Sequence, residues 1–63
     1  MQIDDQIKTI KDLGYSVDYN LKLRLLTCIY KSNQIQVNTP LNELKIKMLK
    51  DYRDFINKQH EIL

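Results

Sequence analysis

The chain has 63 residues, 43% of them hydrophobic and 29% charged, with a formal net charge of +2. That composition excludes a disordered tail and predicts one small folded domain, and the weak positive balance by itself argues for neither nucleic acid nor an anionic membrane as target. With one cysteine, Cys28, and one histidine, His60, neither an internal disulfide nor a four-ligand zinc site within one chain is expected.

A domain this short buries too little surface to be comfortably stable, so a regular helical core or self-association is expected to make up the difference. No run of about 18 apolar residues is present to span a bilayer. The opening Met1-Gln2-Ile3-Asp4-Asp5 lacks the apolar stretch of a signal peptide, and a lone cysteine suits a reducing cytoplasm. Alanine is absent while Ile, Lys, Asn and Asp abound. That bias suggests AT-rich coding DNA, as in a bacterium of low GC content or a phage or mobile element of one.

The first predicted element is a helix over residues 3–13. Ile3, Ile7, Ile10 and Leu13 form one narrow stripe at helical spacing. Asp4 and Asp5 suit its electropositive start, and Gly14 suits the position just past its end.

The second predicted element is a helix over 17–31, with Ser16 or Asp18 able to cap it. Val17, Tyr19, Leu21, Leu23 and Leu25 alternate, which is also strand spacing. Leu26, Cys28, Ile29 and Tyr30 break that alternation, and no partner strand of comparable quality is evident. Length therefore favours helix. Residues 31–38 read as a loop, in which Ile35 and Val37 allow a short extended piece.

The third predicted element is a helix over 40–61, with Thr39 as N-cap and Pro40 at the first helical position. Its apolar residues, among them Leu41, Leu44, Met48, Leu49, Phe55 and Ile56, fall within an arc of about 140°. Opposite-charge pairs four apart, such as Glu43–Lys47, Lys47–Asp51 and Lys50–Asp54, support it. Leu41, Leu44, Met48, Phe55 and Ile62 approach heptad spacing, but Asp51 and Lys58 interrupt the repeat, so the helix is expected to face a core and not to form a long coiled coil.

No catalytic constellation emerges. Gly14 is the only glycine, so no glycine-rich phosphate loop exists. Cys28 lies on the most apolar segment, where a thiol is ordinary packing, and His60 near the C-terminal end has no partner to make it a base or ligand. The carboxylate pairs Asp4–Asp5 and Asp51–Asp54 are accounted for by the helix dipole and by salt bridges. Neither an enzyme nor a cofactor is expected.

The second predicted helix carries the functional expectation. Its polar arc is thin, and two apolar faces about 160° apart remain. One holds Leu21, Leu25, Cys28 and Ile29; the other holds Tyr19, Leu23, Leu26 and Tyr30. A helix apolar nearly all round must be buried nearly all round. One face is expected in the core and the Tyr19–Leu23–Leu26–Tyr30 face against another protein, since tyrosines and leucines are apt for such contacts.

The reading is therefore an all-α fold, a single domain over 1–63 with helices at about 3–13, 17–31 and 40–61. Its expected role is non-enzymatic protein binding in the cytoplasm, as a phage- or element-encoded inhibitor or regulator of a bacterial host protein. A homodimer or higher oligomer is expected. Two alternatives compete with it. One is a DNA-binding regulator of helix-turn-helix type, presenting Asn20, Arg24 and Lys31. The other is a structural homo-oligomer, an assembly or scaffold component.

Overall fold

Ile3, Ile7 and Ile10 recur at helical spacing, and in the computed structural model, which describes residues 3–62, they lie on α1 (Ile3–Asp12). Ile10 is wholly buried, and Ile3, Ile7 and Leu13 pack around it. Gly14 ends the helix with φ +106°, a conformation open to a residue without a Cβ. A Cβ there would stand 2.9 Å from the Tyr30 ring, so the position is closed sterically as well.

The chain then forms β1 (Ser16–Asn20), β2 (Leu25–Tyr30) and β3 (Asn33–Asn38), and ends in α2 (Glu43–Ile62). The strands make an antiparallel sheet of order β1-β2-β3. The protein is thus α+β, and the all-α expectation with a helix over 17–31 is overturned. That segment is β1, a turn and β2, and the expected loop at 31–38 contains β3.

Two turns decide the matter. Asn20 Oδ1 accepts the Leu23 amide at 3.0 Å, and Arg24, with φ +51°, closes the first reversal. Lys31 and Ser32 both have positive φ, 48° and 68°, and join two strands that end opposite each other at Tyr30 and Asn33. Positive φ at both central residues of a two-residue link is the pattern of a type I′ turn, whose twist matches that of antiparallel strands. The Asn33 amide secures it by donating to the carbonyls of Tyr30 and Lys31.

The register sorts the side chains by face. Val17 pairs with Cys28 and Tyr19 with Leu26; on the other side Cys28 pairs with Ile35 and Leu26 with Val37. These residues form the face covered by the helices, where Leu26, Cys28 and Val37 join Ile10, Tyr15, Leu41 and Leu49 in one core. The opposite face, with Asp18, Thr27 and Gln36 in its middle row, carries no helix. The result is two layers around a single core.

The link to α2 differs from expectation as well. Thr39–Pro40 is a cis peptide, and Thr39 donates its amide and its hydroxyl to the Arg24 carbonyl, at 2.8 and 3.1 Å. Thr39 therefore extends the sheet pairing and does not cap the helix. The cap is Asn42, whose Oδ1 accepts the Lys45 amide at 2.8 Å, and asparagine is well suited to that role.

Tyrosine hydroxyls fasten α2 to the sheet. Tyr15 donates to the Leu49 carbonyl at 2.6 Å and Tyr30 to Asn57 Oδ1 at 2.8 Å. Arg53 reaches the Leu13 carbonyl at 3.4 Å, and Gln6 of α1 donates to the Leu41 carbonyl at 3.2 Å. The buried polar groups on both helices are thereby satisfied within the fold.

Candidate functional site

The apolar arc of α2 is wider than the layer beneath it. Leu49 and Ile56 point into the domain, at 0% and 3% exposure, and Leu41 just before the helix is also buried. Leu44, Met48 and Phe55 lie roughly 100° round the helix from Leu49 and Ile56, and there they meet water. Their exposures are 75%, 43% and 56%. The helix expected to face a core thus turns only half of its apolar arc toward one.

These three side chains occupy positions i, i+4 and i+11, a single row along the helix. Beside the row, Leu44, Met48 and Tyr52 form the apolar floor of an open groove of about 620 Å³, edged by Lys45, Lys47 and Asp51. Charges bracket the groove. Lys47 pairs with Asp51 at 3.4 Å, and Asp54 pairs with Arg53 at 2.8 Å. The Lys45 ammonium is turned back onto the carbonyls of Asn38 and Pro40 at 2.8 and 2.9 Å. Large apolar groups in a row, rimmed by polar ones, are the mark of a surface that meets another molecule.

A second exposed apolar pair stands at the β1–β2 turn, where Leu21 is 74% and Leu23 67% exposed, next to Lys22 and Arg24.

The four residues expected to form a protein-binding helix face are dispersed by the sheet. Leu26 is wholly buried in the central strand, and Tyr19 packs half-buried against the same core. Tyr30 is half-buried, its ring 5.5 Å from that of Tyr15 and under the Lys31 ammonium at 5.6 Å. Leu23 alone of the four stands in water. The face depended on helical periodicity, and strand periodicity sends Tyr19, Leu26 and Tyr30 inward together. The helix-turn-helix arrangement fails for the same reason. Asn20 ends β1 and Arg24 and Lys31 occupy two different turns, so they line no helix.

Cys28 is fully buried, and burial raises its pKa, which holds the thiol protonated. His60 is exposed in the last turn of α2. Burial, with smaller contributions from Cys28 and Tyr52, pushes Tyr15 up to about 12. Its hydroxyl is a donor to the Leu49 carbonyl, which suits a structural clasp. Among the described residues no group of three or more His, Cys, Asp or Glu could hold a metal ion, and no helix is long and apolar enough to cross a membrane.

The row on α2 was visible in the sequence as the near-heptad run Leu41, Leu44, Met48, Phe55. The missing signal was which half of the arc the fold would cover. No protein-family model, curated protein or solved structure matches this chain.

Proposed function

We propose that this protein is a non-catalytic protein-binding module and that its binding surface is the exposed row Leu44, Met48 and Phe55 with the groove beside it. The observation that carries the proposal is the exposure of three large apolar side chains in line on a helix already anchored by Leu49 and Ile56. Leaving such a row in water costs the free energy that burial would recover, about 25 cal/mol per Å². Covering the row would recover it without altering the fold, because none of the three belongs to the core cluster. A rigid helix with i, i+4 and i+11 anchors is also a familiar peptide-groove and helix–helix recognition element. An inhibitor or regulator acting by occupying a surface on another protein fits this design, and the cytoplasm is the compartment we assign to it.

Photo-crosslinking tests the reading. A benzoylphenylalanine replacing Phe55, compared with one replacing the exposed Lys50, should yield discrete protein adducts in cells at position 55 and none at position 50. Adducts at neither position, or equally at both, would overturn it.

A further inference from the structure

We infer that the occupant of the α2 row is a second copy of this chain, with the two α2 helices antiparallel. This rests on the protein-binding reading of the row and names its partner.

The row continues beyond its apolar members. Leu44, Met48, Asp51, Phe55 and Lys58 follow one another at spacings of four, three, four and three, which is the seam of a heptad. Asp51 and Lys58 are both exposed. In a parallel pair each seam residue meets its own copy, so Asp51 would face Asp51 and Lys58 would face Lys58. Like charges in a seam are unfavourable. An antiparallel pair separates the two Lys58 residues and sets each Asp51 opposite Met48 of the second copy in place of another Asp51.

One antiparallel register suits the side chains best. The apolar part of the row, from Leu44 to Phe55, extends about 16 Å, and its midpoint lies between Leu49 and Lys50. A twofold axis at that level puts Leu44 beside Phe55 of the second copy, twice by symmetry, and brings the two Met48 side chains together near the axis. Asp51 lies as near the axis as Met48 does, facing Met48 of the second copy, and Lys47 of its own helix stands 3.4 Å from its carboxylate. Lys58 falls beyond the apolar overlap, at the solvated end. The rim is then complementary. Lys47 and Asp54 both lie on the same side of the row, and the axis sets Lys47 of each copy next to Asp54 of the other. Both side chains are more than half exposed, 73% and 54%, so the Lys47 ammonium, which lies on Asp51 of its own helix, is placed to bridge to Asp54 of the second copy, itself held by Arg53 at 2.8 Å. A twofold interface of this kind repeats every favourable contact. It also supplies the apolar burial that a 63-residue chain lacks.

Light scattering during size exclusion, over loading concentrations from about 10 μM to about 1 mM, should show a mass rising toward twice the 7.6 kDa of one chain. Phe55→Asp should leave a monomer of unchanged circular dichroism. Lys47→Asp and Asp54→Lys should each weaken the dimer about tenfold, since each turns two attractive pairs into repulsive ones. The double variant carrying both should recover the dimer. That recovery is specific to the antiparallel register, because in a parallel pair residues 47 and 54 do not meet.

A mass that stays at one chain throughout would overturn the inference. If adducts at position 55 then contain only other proteins, the protein-binding reading stands without it; if there are none, both fall. A dimer that Phe55→Asp leaves intact, or one the double variant fails to restore, would also overturn it.

Discussion

Tyr15 shows how one side chain joins the two layers. Its ring lies in the core and its hydroxyl ends on the Leu49 carbonyl at 2.6 Å, so the sheet side of the domain and α2 share a single buried hydrogen bond. Such a bond contributes about 1 kcal/mol net. Its burial also ties stability to alkaline pH. The folded-state pKa is raised from 10.0 to about 12, so the unfolded chain loses this proton first. Stability from this group is therefore full below pH 10 and lost as pH rises toward 12. Tyr15→Phe should cost about 1 kcal/mol at pH 7 and make the decline of stability between pH 10 and 12 shallower. Urea titrations of both proteins across that range check it, and parallel declines would show that Tyr15 is not the group responsible. Cys28, one strand away, is part of the same burial and raises the Tyr15 pKa further.

At the scale of elements, the two turns do most to shape the sheet, and the second is built from unfavourable residues. Lys31 and Ser32 hold positive φ, which costs an L-residue about 1–2 kcal/mol relative to glycine. Lys31 is partly compensated by its contacts with Asn57 at 2.9 Å and with the Tyr30 ring. Ser32 is exposed and has no such compensation among the hydrogen bonds described. Ser32→Gly should therefore stabilise the protein by about 0.5–1 kcal/mol, the strain relieved less the added entropy of the unfolded chain. An upward shift of the urea midpoint with unchanged slope is the expected readout, and a downward shift would mean that Ser32 is not strained. The helices are conventional by comparison. Acidic residues lie in the first turn of both, Asp4 and Asp5 in α1 and Glu43 in α2, and Asn42 caps α2.

For the whole molecule, small size sharpens the division between core and surface. A chain of this length is expected to hold a net stability of about 3–9 kcal/mol. Leu26 is wholly buried in the central strand, and its truncation to alanine should remove about 2–5 kcal/mol, enough to unfold much of the population. Leu44 is a leucine too, but it is 75% exposed. Leu44→Ser should change monomer stability by no more than about 0.5 kcal/mol while weakening association through α2. Thermal melts at low concentration compare the two as monomers. At high concentration the wild type should melt later, since a ligand or partner that binds the folded state stabilises it by mass action. Equal losses for the two variants at low concentration would place Leu44 in the fold and remove it from the binding surface.

The helices were readable from the chain because their signals are local. Ile3, Ile7, Ile10 and Gly14 delimit α1, and the periodicity from Leu44 to Ile56 delimits α2 to within three residues at its start. The sheet was not readable, for three reasons in particular residues. Leu21 and Leu23 continue the apolar alternation of β1 into an exposed turn, hiding the reversal. Lys31-Ser32 forms its turn without the asparagine and glycine that usually announce one. Leu25 to Tyr30 is apolar on both sides, because Leu25 and Ile29 fall on the uncovered face while Leu26 and Cys28 fall on the covered one, so neither period stands out. Sequence alone thus determined the two helices, the apolar arc of α2 and the packing character of Cys28. Only tertiary structure decided that the middle of the chain is a sheet and that Tyr19, Leu26 and Tyr30 turn inward. It also decided that Leu44, Met48 and Phe55 stay in water, since they lie roughly 100° round α2 from Leu49 and Ile56, the side chains that α2 turns into the domain.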